Sequence, residues 1–242
     1  MSYLRILGRY SPAMIDHFNS AVWEDFFKYV RPDVHGCPVA MVKEALRNAC
    51  IEFCEKSLIW QQEIYCGDLV KDEPKYGINI VDKDATIVMP VTVTIRDTVE
   101  GQLRQFQVEK TNRQDLDSYS PDWRLRKDKY PKYFYMESPN VMHLVGVPME
   151  DIPEALHMLA AVKPTREADE IPKFLYTDWA ETIASGALAY LHSLSGRVWS
   201  KPNLVNYYIR KFRAGISRAK SKAYKSWVAQ SKTMLPLKHK IF

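Results

Sequence analysis

Two hydrophobic periods divide this chain, and together they admit few folds. Near both ends apolar residues recur at spacings of three, four and seven, whereas Ile87, Met89, Val91, Val93 and Ile95 occupy every second position. The first pattern marks one buried face of a helix, the second a strand with one side against a core. Proline follows the same division: nine of the fourteen lie between Pro74 and Pro172, and residues 39–60 and 173–228 contain only Pro202. A proline supplies no backbone donor, so its scarcity on both flanks suits helices and its frequency in the middle suits strand ends and turns. The expected class is α+β, with helices on either side of a strand region.

The first long helix is expected to start at Pro38, after the turn Asp33-Val34-His35-Gly36, and to bury Val39, Val42, Leu46, Ala49, Cys50, Phe53 and Trp60. A shorter helix before it, Val22 to Val30, would place Val22, Phe26, Phe27 and Val30 on one side and make a helical hairpin through Pro32–Pro38. Strands are expected at 63–70, 87–95, 103–109, 133–137, 141–147 and 156–162, six short segments that suit a β-sandwich or barrel-like sheet. A short helical turn is expected within 112–123. Pro172 opens a further helix whose Leu175, Trp179, Ile183, Ala187, Tyr190 and Leu194 share a face until Gly196. Ser200 and Pro202 then read as cap and first turn of a last helix reaching Trp227, with Tyr208, Phe212, Ile216, Ala219, Ala223 and Trp227 as its apolar stripe. Residues 229–242 show no helical stripe, contain Pro236 and end in Ile241 and Phe242.

Charge is as unevenly spread as hydrophobicity. After Glu181 there is no acidic residue but twelve Lys or Arg, whereas residues 1–181 hold 22 basic and 29 acidic residues. A body of net −7 thus carries an end of net +12. Arg210, Lys211, Arg213, Arg218, Lys220, Lys222 and Lys225 surround the stripe of the last helix. An ordinary exposed helix mixes both signs to gain pairs one turn apart, so this unmixed face points to an anionic partner: nucleic acid, lipid headgroups or an acidic protein surface. A membrane would need Phe212, Ile216 and Trp227, yet that stripe is also required for packing on the preceding helix.

Composition and motifs narrow the chemistry. With 46% hydrophobic residues the chain has ample material for a core. No run of 18 apolar residues occurs and Met1–Tyr10 lacks a secretory pattern, so the expectation is a protein that stays where it is made, without membrane contact. Cys37, Cys50, Cys54 and Cys66 match neither a CxxC pair nor a disulfide framework, and read as reduced thiols. His35 and Cys37 with Cys50 and Cys54 could be drawn as a metal set, but Cys50 and Cys54 belong to an apolar helical face, so no metal is expected. The sequence contains no phosphate-binding glycine loop, nucleophile elbow or HExxH. Asp82 with Asp84, Glu150 with Asp151, and Asp169 with Glu170 read as solvated loop acids, and His143 and His157 as polar positions within strands. No catalytic residue and no cofactor are expected, and the protein is read as a non-enzyme.

Three blocks carry a resemblance. The first is Tyr29-Val30-Arg31-Pro32-Asp33-Val34-His35-Gly36-Cys37-Pro38 with Ala45-Leu46-Arg47-Asn48-Ala49-Cys50-Ile51-Glu52-Phe53-Cys54 and Trp60; the second is Ala161–Thr165 with Ile171–Tyr176. The third runs from Ala184 to Leu191 and through Val198-Trp199-Ser200-Lys201-Pro202 to Phe212 and Ala219. In these blocks the chain resembles the adaptor, or head-to-tail connector, proteins of tailed bacteriophages, related in architecture to the tubular tail protein A of short-tailed phages. The likeness covers about half the chain; residues 71–130 match less well, and Met1–Ser20 looks like an addition. It implies an antiparallel helical bundle formed by residues 1–60 and 166–228, an inserted mainly antiparallel β domain at 61–165, and an extended C-terminal arm at 229–242. It further implies a structural virion protein, made in the host cytoplasm and placed in the tail neck, of which twelve copies form a ring under the portal and continue the DNA channel. Its partners would be the portal protein, neighbouring copies, the next tail component (nozzle or tail tube) and, transiently, packaged DNA. On that resemblance Trp227, Met234, Leu235, Leu237, Lys238, Lys240, Ile241 and Phe242 are the expected portal-binding residues. The competing expectation is a DNA- or anionic-membrane-binding protein that acts through the basic helix.

Overall fold

In the computed structural model, which describes residues 20–80, 82–119 and 121–225, the period-two segment forms one long strand, β4 (Ala85–Val99). Before it come β1 (Ser20–Val22), a 3-10 turn (Trp23–Phe26), α1 (Phe27–Val30), α2 (Val39–Ser57), β2 (Gln61–Leu69) and β3 (Lys75–Gly77). After it follow β5 (Gln102–Lys110), α3 (Arg113–Tyr119), a 3-10 turn (Pro121–Arg124), β6 (Lys127–Asp128), β7 (Tyr133–Ser138), β8 (Val141–Val145), β9 (Val147–Pro148), β10 (Ile152–Pro164), β11 (Glu170–Pro172), α4 (Lys173–Ser193) and α5 (Pro202–Tyr224). The fold is α+β, built on a seven-stranded sheet in the order β2-β10-β4-β5-β7-β8-β3, nearly closed like a barrel. Every pairing in it is antiparallel except β5 with β7.

Two features of β4 depart from simple alternation. Its pairing with β10 steps from Leu159 opposite Thr92 to Ala160 opposite Pro90, and from Ala161 opposite Met89 to Val162 opposite Ile87. Val91 and Val88 are thus extra residues without a partner, and each such bulge shifts which side chains face the core. The inward residues are Ala85, Ile87, Pro90, Val93 and Ile95, while Val91 is 44% exposed and Met89 only half-buried. The expected face of five alternating residues is therefore corrected at its centre, and the strand is also far longer than a short segment.

The helical expectations need smaller corrections. Val22–Val30 is not one helix: Val22 belongs to β1, which pairs with β11, and is exposed, while Phe27 is half-buried; Trp23, Phe26 and Val30 go inward. α2 starts after Pro38, leaves Val39 exposed and stops at Ser57, so Trp60 is buried from the following segment rather than from the helix. Tyr190 of α4 is exposed, and Ser200 does not cap α5: its hydroxyl donates to the His192 carbonyl oxygen (3.1 Å), and Lys201 precedes Pro202 at the helix start. The short strands β1, β3, β6, β9 and β11 have too few residues for a legible period.

Core and packing follow from these elements. α4 is buried on most of its circumference, from Leu175 to His192, because it lies between α2 and α5. Phe53 of α2 meets Trp179 of α4 with ring centroids 5.4 Å apart. α2 in turn rests on β10, and one continuous apolar cluster runs from Phe26 and Leu46 through Met158 and Ile95 to Leu144. A smaller cluster gathers Trp123, Tyr135 and Val145 under α3.

Candidate interaction surface

The basic face is held in place by an unusually close helix crossing. α5 starts on Pro202, whose missing backbone donor costs nothing in a first turn. Phe212, Gly215, Ile216, Ala219 and Ala223 form its buried side against α4. A β-carbon added at Gly215 would overlap Thr182, and one at Gly186 would lie 2.9 Å from the Phe212 ring and 3.0 Å from Ala49. Only glycine permits so close a backbone approach, which fixes how α5 is rotated.

Near its start, α5 is also tied by polar contacts. The Tyr208 hydroxyl donates to Asp33 Oδ2 (3.0 Å), and burial together with that hydrogen bond pushes its pKa up to about 12. The Tyr208 ring stacks on fully buried His192, whose Nδ1 lies 2.9 Å from the Trp199 carbonyl oxygen. These contacts join α4, α5 and the turn before α2.

The seven basic residues fall into two groups. Lys211 faces Glu181 and Lys222 faces Asp178 of α4, each at 3.6 Å, and Lys222 also lies 5.6 Å from the Trp179 ring centroid. Arg210, Arg213, Arg218, Lys220 and Lys225 are exposed and form no ion pair with a described residue. Sequence periodicity found the basic residues but not Asp178 and Glu181 as partners for two of them, because that pairing depends on helix rotation. Trp227, Met234, Leu235, Leu237, Lys238, Lys240, Ile241 and Phe242, with the arm at 229–242, lie outside the described residues.

Acidic residues that are separate in sequence converge elsewhere. The Asp84 carbonyl oxygen accepts from the Thr165 backbone N–H (2.8 Å), which brings the 82–84 turn beside Asp169 and Glu170. Burial, and then the charges of Asp82, Asp169 and Glu170, raise the Asp84 pKa, with Lys83 opposing. Glu150 instead pairs with Lys129 (2.7 Å), and Asp151 accepts from the Lys71 backbone N–H (2.7 Å).

Remaining candidates have structural partners. His143 stacks on Tyr135 with centroids 4.9 Å apart, and burial lowers its pKa; His157 lies between Arg96 (3.4 Å) and the Glu154 carbonyl oxygen (3.0 Å). All four cysteines are buried and unbridged, and burial raises the pKa values of Cys37, Cys54 and Cys66. Among the described residues, no group of three His, Cys, Asp or Glu residues is placed to hold a metal ion, and no helix is long and apolar enough to cross a membrane. No protein-family model matches this chain, and neither does any curated protein.

Proposed function

We propose that this chain is a structural, non-catalytic subunit of a tailed-phage neck: a twelve-copy ring adaptor that attaches to the portal, continues the DNA channel and offers the tail its docking platform. The observation that carries this reading is the set of five exposed cations, four on α5 and Lys225 directly after it, with no described counter-charge, on a helix locked to the body by the Gly215 and Gly186 contacts. In this reading α2, α4 and α5 form the bundle around which the ring is organised, the sheet faces the next tail component, and the basic helix with the arm beyond it meets an acidic portal face. Complementary charge speeds encounter and sets register, while apolar anchors in pockets provide most of the affinity. Ring closure needs two different complementary faces on each subunit, and a net-negative body against the net-positive end of a neighbour is the alternative use of the same charge split, in competition with portal docking.

Burial of Phe212 and Ile216 against α4 argues against a bilayer, because little of the α5 stripe is left to enter one. DNA phosphates are the competing partner for the same cations. The decisive experiment mixes the protein with portal rings from the same source and images the complex. Twelve copies on one end of each ring, lost on removing residues 229–242 while the remaining body stays folded, would support the adaptor. Absence of any complex, together with steeply salt-dependent binding to arbitrary duplex DNA, would replace it with the DNA-binding reading.

A further inference from the structure

Arg47 presents an anomaly that the basic helix does not explain. Among the described residues its Nε is buried without a hydrogen-bond partner, and the residue forms no ion pair with a described carboxylate. A guanidinium is always charged and is normally paired where it leaves water. Beside it lies a cavity of about 420 Å³, lined by Ala40, Lys43, Glu44, Arg47 and Asn48 of α2 and by Arg166 from the loop after β10. Arg166 likewise has no ion pair with a described residue.

We propose that this cavity is an oxyanion site in which Arg47 and Arg166 converge on a phosphate or carboxylate group. Trp23 links Arg47 to the loop that carries Arg166. The Arg47 guanidinium carbon lies 5.9 Å from the Trp23 ring centroid, and the indole N–H donates to the Ala168 carbonyl oxygen (2.8 Å), two residues beyond Arg166. The same loop is pinned at Thr165 by the Asp84 carbonyl oxygen. A planar guanidinium presents parallel donors that suit the paired oxygens of such an anion, and a held guanidinium loses less freedom on binding it. Lys43 is already paired with Glu24, which offsets its charge, and its ammonium keeps further N–H donors beside the cavity. Glu44 lines the cavity three residues before Arg47 without pairing to it, and its negative charge opposes the anion. The site uses no residue of the basic helix α5, so its test does not depend on what that helix binds.

The test is a titration of the full chain with sodium phosphate, and separately with sodium acetate, at constant ionic strength held with chloride, followed by thermal unfolding and calorimetry. A saturable rise in Tm is expected with at least one anion, weakened at least tenfold by Arg166→Ala and by Arg47→Gln, strengthened by Glu44→Gln and unchanged by Arg213→Gln. A phosphate-only response identifies a tetrahedral anion. An acetate response, with Tm rising with protein concentration in chloride alone, identifies a carboxylate of a second copy. Arg166 is exposed, so its alanine variant keeps the test decisive if Arg47→Gln fails to fold. No saturable response to either anion, or an equal response in Arg166→Ala, overturns the proposal.

Discussion

A methyl group at Gly215 would overlap Thr182, so Gly215→Ala is expected to lower stability by about 1–3 kcal/mol, with Thr182→Ala in the same chain restoring part of it. Chemical denaturation of the single and double variants measures both numbers; additive losses would mean the two residues do not share the contact. Tyr208 offers a second measurement. Its pKa is pushed up to about 12, above the ordinary tyrosine value, so the folded state holds this proton more tightly than the unfolded chain. The resulting stabilisation is complete below about pH 10 and is lost as pH rises from about 10 through about 12. Tyr208→Phe should cost about 0.5–1.5 kcal/mol at pH 7 by removing the bond to Asp33, and should leave a shallower decline in stability at alkaline pH. An unchanged alkaline profile would exclude Tyr208 from it. Burial also pushes the Cys66 thiol up to about 12, so a thiol reagent at pH 8 should label this residue only after unfolding. Neither the Gly215 contact nor the Asp33 bond could be inferred from the residues alone, because the partners lie 33 and 175 positions away in the chain.

Element existence was largely legible where a period persisted for several turns or pleats. α2, α4 and α5 arise from stripes such as Val42, Leu46, Ala49 and Phe53, and β4 from its valines and isoleucines. What escaped was local. β1 and β11 are three residues each, too short for a repeat, yet their pairing converts the expected helical entry at Val22 into a ribbon. The bulges at Val88 and Val91 cancel one another in phase, so the flanks of β4 read correctly while its centre does not. This has a testable consequence. Val91→Thr should change stability by less than about 0.5 kcal/mol, whereas Ile95→Ala, at a fully buried position, should cost about 2–5 kcal/mol. Comparable losses at the two sites would place Val91 in the core and remove the bulge from the account.

At the scale of the whole molecule, helices and sheet share one apolar cluster joined through α2 on β10. Unfolding is therefore expected as a single transition, with tryptophan fluorescence and far-ultraviolet circular dichroism giving the same midpoint; separated midpoints would mean that the helices and the sheet unfold independently. The candidate surface divides in the same way as the fold. Its charge was written in the chain, since twelve basic residues with no acid after Glu181 give the end a positive field in any conformation. The Arg47 cavity had no sequence signal at all, because its two arginines are 119 positions apart and line one cavity only once Trp23 has brought α2 and the Ala168 loop together. Composition and period are properties of neighbours in sequence, and so the sequence by itself determined the class of fold, the long elements and the sign of the terminal face. Helix rotation, strand register and the meeting of distant side chains depend on side-chain volumes and pairings across the core, so only the tertiary structure decided which cations are paired, which valines are inside and where two arginines share a cavity.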